Sequence, residues 1–212
     1  MRKRVVCFGD SNTWGYNAEN MDRFSEDIRW PCILQKGLGD DYQIIEEGLP
    51  GRTSVSDDPL FEGVNALHYI HPCLKSHAPL KLVIIMLGTN DTKERFGLTA
   101  YNIAQGIVRL ACKAKSTETG AGGNSPKVLV VAPPMIDPNY YDTTIKFSMG
   151  KKCDIKSKEL PTHLNQLLTG TDIEFLDTSE TVSMNDIDYM HLDKTGHKLL
   201  AEYVLKKVRE MI

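Results

Sequence analysis

The sequence predicts an α/β fold, a three-layer α/β/α sandwich around a five-stranded parallel sheet. Short β-branched runs alternate with amphipathic stretches from one end of the chain to the other, the pattern of repeated strand–helix units. Two of the runs, 82–87 and 128–131, are almost continuously apolar, as strands buried on both faces must be. No repeat, linker or shift in composition divides the 212 residues, so one domain over 1–212 is expected, large enough for a substantial core.

In chain order the strands fall at 5–8, 43–45, 82–87, 128–131 and 173–176. Helical stretches lie between them. The first, 29–38, carries Pro31, which a first helical turn tolerates. Stretches at 64–77, 99–115 and 148–168 follow, and Pro161 is expected to kink or divide the last of these. In the final helix Leu199, Leu200, Tyr203, Val204 and Val208 mark one apolar face, with Asp193 or Thr195 as its cap. The segment 116–126, STETGAGGNSP, reads as a flexible surface connection. Its glycines precede a strand instead of following one, so a phosphate-cradling loop fails on context.

Composition narrows the function classes. Hydrophobic residues make up 41% and charged residues 25%, the balance of a soluble globular protein, and the net charge of -3 argues against a dedicated nucleic-acid binder. The basic cluster Arg2 to Arg4 is too short to alter that. It imitates the start of a signal peptide, but the apolar run stops at Gly9-Asp10 and no cleavage site follows. No run approaches membrane-spanning length. The five cysteines are odd in number, scattered and without a C-x-x-C pair, which suits reduced thiols in a cytoplasm.

Parallel sheets build their sites beyond the carboxyl ends of the strands, and four segments end there. Asp10-Ser11 follows the first strand, EEGLPGRTS (46–54) the second and GTND (88–91) the third, while DIDYMH (186–191) precedes the last helix. Asp10 and Ser11 could simply cap the next helix. Alternatively, Ser11 is a nucleophile on a strand-to-helix turn. Acyl transfer needs a nucleophile, a base, an orienter for the base and donors for a developing oxyanion. Asp188 and His191, three apart, are close enough for the carboxylate to fix the imidazole tautomer that accepts the serine proton. Gly51 allows close backbone approach and Asn90 offers an amide donor.

Those blocks carry a family resemblance. FGDSNTWG, GLPGRTS, LGTND and DYMH resemble the blocks of the SGNH, or GDSL-type, hydrolases, which present Ser, Gly, Asn and His in that order. RW at 29–30, VIIMLGTNDTK and VLVVAPP resemble the bacterial arylesterase and acyltransferase branch. The resemblance implies a flavodoxin-like sheet and a Ser11–His191–Asp188 mechanism. It also implies an oxyanion hole formed by the N–H groups of Ser11 and Gly51 with the amide of Asn90. Either Gly48 or Gly51 could be the block glycine; Gly51, just before Arg52-Thr53, fits the family position better. The substrates implied are short acyl esters, acetyl foremost, of aryl, alkyl or sugar alcohols. Deacetylation of oligosaccharides is the runner-up, with lysophospholipid or thioester cleavage behind it. No metal or organic cofactor is implied, the partner is a small-molecule ester, and self-association is left open.

One departure stands beside the nucleophile, where the family's leucine is replaced by Asn12. Asn12 and Trp14 are therefore expected at the acyl or alcohol site, and Trp30, Tyr140, Tyr141 and Phe147 are each either pocket wall or core. His68 and His71 have metal-compatible spacing but no acid partner at readable distance, and His163 and His197 are expected on the surface. Two rivals fit less well. An α/β-hydrolase needs G-x-S-x-G, and Thr13 stands where the second glycine belongs. A non-catalytic binding protein on this fold would be expected to have lost Ser11, Asn90 or His191.

Overall fold

In the computed structural model, which describes residues 2–212, alternate residues of each apolar run face opposite helical layers. The sheet strands are β1 (Lys3–Gly9), β4 (Tyr42–Gly48), β5 (Leu80–Met86), β6 (Lys127–Ala132) and β7 (Glu174–Asp177). They pair in the order β4-β1-β5-β6-β7, every ladder parallel. A two-stranded antiparallel ribbon, β2 (Tyr16–Asn17) with β3 (Asp22–Arg23), stands apart. The helices are α1 (Ser11–Trp14), α2 (Trp30–Leu38), α3 (Ala66–His77), α4 (Ala100–Lys115), α5 (Lys146–Met149), α6 (Cys153–Leu168) and α7 (Lys194–Met211).

Val6, Phe8, Val83, Ile85, Val128 and Val130 pack on α3, α4 and α6, while Val5, Cys7, Leu82, Ile84, Leu129 and Val131 pack on α2 and α7. Burying one such Val, Leu or Ile stabilises the fold by about 1.5–3 kcal/mol, which is why the central runs contain almost nothing polar. The edge strands β4 and β7 are only half-buried, and their sequences mix charge with apolar residues accordingly.

The helix starts follow local capping. Asn65 accepts from Leu67 N–H at α3, Thr99 and Asn102 form a reciprocal box at α4, and Asp193, not Thr195, accepts from Gly196 N–H at α7. Pro31 takes the second position of α2.

Two sequence expectations are corrected. The fourth helical stretch does not break at Pro161, which is buried within an uninterrupted α6. The break comes earlier, where Gly150 (φ 77) and Lys152 (φ 65) adopt left-handed backbone between α5 and α6. Only one intrahelical bond is lost at Pro161, and Leu160 and Leu164 beside it hold the helix in the core. The 116–126 connection is also anchored at its start. Thr117 and Thr119 are buried with hydroxyls 3.1 Å apart, and the Thr119 carbonyl accepts from Leu80 N–H.

Close approach decides two glycines. A Cβ on Gly9 would lie 2.0 Å from Thr13 Oγ1, and one on Gly48 would lie 2.1 Å from the backbone nitrogen of Trp14. The turn after β1 therefore rests directly on β4. Gly48→Ala cannot be relieved by turning a side chain, because its nearest neighbours are main-chain atoms. We expect it to lower stability by about 3 kcal/mol, at the upper end of overpacking effects. Urea unfolding of the variant beside the parent checks this; an unchanged midpoint would show that α1 can lift off β4 freely.

Candidate active site

The register places Gly9 of β1 opposite Gly48 of β4 and Met86 of β5. The loops that leave these three strands are consequently neighbours at one edge of the sheet. The connection leaving β1 runs toward β4 and the one leaving β5 runs toward β6, so they diverge between these two neighbours, the switch-point geometry that opens a crevice.

Ser11 is the first residue of α1. Asp10 is the N-cap, its carboxylate accepting from Asn12 N–H at 2.9 Å, so the turn that caps the helix also places Ser11 at the end of β1. Gly15, at φ 90, ends the helix after one turn. From the other end of the chain, the 185–192 loop returns to Ser11. Asn185 organises it: its Oδ1 accepts from Ile187 and Asp188 N–H, while its Nδ2 donates to Asp188 Oδ1 and to the His191 carbonyl. Tyr189 takes a left-handed φ of 62, unusual for a bulky side chain, and this reverses the chain between Asp188 and His191.

The outcome is a linear relay. His191 Nε2 lies 2.9 Å from Ser11 Oγ, and His191 Nδ1 lies 2.6 Å from Asp188 Oδ2. All three residues are buried. Burial pushes the Asp188 carboxyl upward in pKa. The His191 bond, its charge and N–H donors from Met190 and the Asn185 amide outweigh that and hold it below the ordinary carboxylate range. An ionised Asp188 accepting from Nδ1–H leaves Nε2 free to take a proton from Ser11.

The oxyanion candidates converge on the same edge. Asn90 follows β5 in a 3-10 turn, and its Nδ2 is buried without a hydrogen-bond partner among the described residues. Such a donor is costly to leave unpaired, which makes the Asn90 amide a candidate to meet an acceptor here. Gly51 takes φ 82, a conformation that suits glycine and turns the backbone after β4. Gly48, the other candidate, is occupied by the contact with Trp14 described above. Arg52 braces this turn by donating to the Gly9 and Glu47 carbonyls, and Asp91 ties it to the Asn90 turn through Ser54 N–H (2.9 Å) and Ser54 Oγ (2.5 Å).

Of the other sequence candidates, the structure brings few to the site. Asn12 is buried, and its amide is spent on the backbone around His191 instead of facing open space. Trp14 lies at the end of α1 with the Arg23 guanidinium over its ring, 5.3 Å from the centroid. Trp30 and Tyr140 are core, whereas Phe147 is 82% exposed. His197 is not on the surface: it is fully buried, and its Nδ1 accepts from Trp30 N–H at the start of α2. Burial, with Arg29 and His191 nearby, pushes its pKa down to about 3, so it stays neutral. His68 faces Asp57 in the open. A different histidine, His77, meets Cys73 and Glu47 with donor atoms all within 4.8 Å, but its Nε2 is already hydrogen-bonded to Glu47 Oε1 at 2.8 Å. Sequence reasoning missed Tyr16, whose ring lies 4.4 Å from that of His191, and the brackets Asn185 and Asp91. An Asx turn at Asn185 and the Asn-Asp pair at 90–91 were the only signals available.

A family model for the GDSL-like lipase/acylhydrolase family matches residues 7–199. The chain belongs to that family, and it is a carboxylic ester hydrolase. Among solved structures, an aryl esterase of M. smegmatis is 35% identical, with TM-score 0.89 over 99% of this chain and 100% of that one. A carbohydrate acetylesterase from Sinorhizobium meliloti is 38% identical, with TM-score 0.90 over 100% of both chains. Comparison with curated proteins gives no match.

Asp10 supplies a pH test of the site's foundation. Its complete burial raises the carboxyl from 3.8 to about 6, against the lowering effects of Asn12 N–H, His191 and Arg52. The stability of the protonated form is fully present below about pH 4 and is lost as pH rises through about 6. Asparagine caps equally well without a charge. Asp10→Asn is therefore expected to gain on the parent by an amount of order 3 kcal/mol between pH 4 and pH 7. Urea unfolding at both pH values measures the gain, and a pH-independent difference would place the carboxylate in water.

Proposed function

We propose that this protein hydrolyses, or transfers, short acyl groups from aryl, alkyl or sugar esters through an acyl-enzyme intermediate on Ser11. The observation that carries this is the continuous Ser11–His191–Asp188 relay, with distances of 2.9 and 2.6 Å. Ser11 Oγ attacks the ester carbonyl as His191 Nε2 takes its proton. The tetrahedral oxyanion is met by Ser11 N–H, Gly51 N–H and Asn90 Nδ2. Collapse breaks the bond to the alcohol oxygen, which leaves with the proton from His191. Water, deprotonated by the same imidazole, then releases the acid; an alcohol in its place gives transfer.

Acetyl esters lead the substrate list because the similar structures include an aryl esterase and a carbohydrate acetylesterase. The family makes small-molecule esters the substrate class. All five cysteines are free, in keeping with a reducing compartment, and no helix among the described residues is long and apolar enough to cross a membrane.

A panel of aryl acetates, longer-chain aryl esters and acetylated sugars tests the reading. Ser11→Ala is expected to lower turnover on the best ester by about 10⁴-fold or more with the fold intact. Asn90→Ala is expected to lower kcat by about 10²–10³, with KM nearly unchanged, because its donor matters only once charge has formed. Parental turnover in folded Ser11→Ala would overturn the mechanism. Parental kcat in Asn90→Ala, with reduced thermal stability, would make Asn90 a brace for its turn and nothing more.

A further inference from the structure

Asn12 does something its place in the sequence does not announce. Its Nδ2 donates to the Met190 carbonyl at 3.2 Å, and its Oδ1 accepts from Leu192 N–H at 2.9 Å. These two backbone groups lie on either side of His191. Among the described residues no other hydrogen bond reaches either of them. The amide thus makes the paired donor–acceptor contact that a neighbouring strand would make, while lying 1% exposed beside Ser11. Leucine has nearly the same size and offers neither a donor nor an acceptor.

We propose that Asn12 is the positioning residue that fixes the candidate base against the candidate nucleophile. Ser11 and Asn12 are consecutive in α1, and the Asp10 carboxylate accepts from Asn12 N–H at the start of that turn. Any shift of that turn carries Ser11 and, through the Asn12 amide, the backbone of His191 in the same direction. The 2.9 Å separation of Ser11 Oγ and His191 Nε2 is therefore kept by a local clamp, although the residues are 180 positions apart. On its other side the base is held by Asn185 through the His191 carbonyl and by Asp188 through the ring. Asn12 is the only one of these anchors that belongs to the nucleophile's own turn. It touches neither substrate nor reacting atoms, so its effect is on geometry alone.

This inference rests on the Ser–His–Asp reading, and the experiment separates the two. A fluorophosphonate probe needs no ester substrate: Ser11 Oγ bonds to phosphorus, fluoride leaves, and His191 takes the serine proton. The probe rate, kcat and KM on an aryl acetate, and thermal midpoint are measured for the parent, Asn12→Leu and Asn12→Ala. We expect probe rate and kcat to fall together by about 10–100-fold in both variants, since misplacement by about 1 Å can cost 10²-fold. KM should stay within about twofold, which a merely structural role would not single out. A folded variant that reacts with the probe at the parental rate overturns the role of Asn12 and leaves the mechanism standing. A parent inert to the probe overturns both. Hydrogen exchange at the Leu192 amide of the parent decides the matter without a variant: protection supports the clamp, and exchange as fast as in an open loop refutes it.

Discussion

The site depends on how closely three strand ends meet at Gly9. Its neighbours in register, Gly48 and Met86, belong to strands whose following loops supply the Gly51 turn and Asn90. With no side chain at Gly9 or Gly48, the single turn of α1 settles onto the edge strand instead of standing off it. Ser11 is then fixed by main-chain contacts on a rigid sheet. Loops elsewhere can vary without disturbing it, which is how one framework supports many chemistries.

Electrostatics at this edge works through bracketing. Buried carboxylates are expensive unless hydrogen-bonded, and each one here holds a different piece in place. Asp10 caps the nucleophile turn, Asp91 joins the turns after β4 and β5, and Asp188 orients the imidazole while accepting from N–H groups of its own loop. Of these three, Asp188 alone is held below the ordinary range; Asp10 and Asp91 are both raised, with burial the largest influence. The carboxylate paired with the imidazole is thus the one the surroundings keep ionised. The other two act chiefly as acceptors.

Much of the fold was legible because burial on two faces leaves little freedom of composition. The β5 and β6 runs could hardly be anything else, and the parallel order of the four chemical segments followed from strand–helix alternation. The ribbon of β2 and β3 was invisible, since two-residue strands carry no period. The helix break was misplaced at Pro161 because proline is a stronger local signal than Gly150, while tertiary packing rewarded continuity. His197 was misread although its spacing to Leu200, Ala201, Val204 and Val208 is that of the buried α7 face. The polar character of a histidine points to the surface there, and the helical period points to the core. At the site, sequence located the residue types but not their directions. Asn12 beside a nucleophile suggested a pocket wall; only the fold reveals that its amide is turned toward the His191 backbone.

The relay also has a history in time. Its candidate nucleophile and candidate base are separated by 180 positions, so they cannot meet until that entire stretch has been made and folded. At the usual pace of synthesis, the interval is about 10–40 s. Throughout it, Ser11 lacks the imidazole 2.9 Å from its hydroxyl, the contact on which the proposed reaction with esters depends. If the relay is the catalytic device proposed above, activity arrives at once, late, and only in molecules whose whole sheet has closed. On the proposed mechanism, premature termination anywhere before His191 yields an inert product, not a promiscuous one.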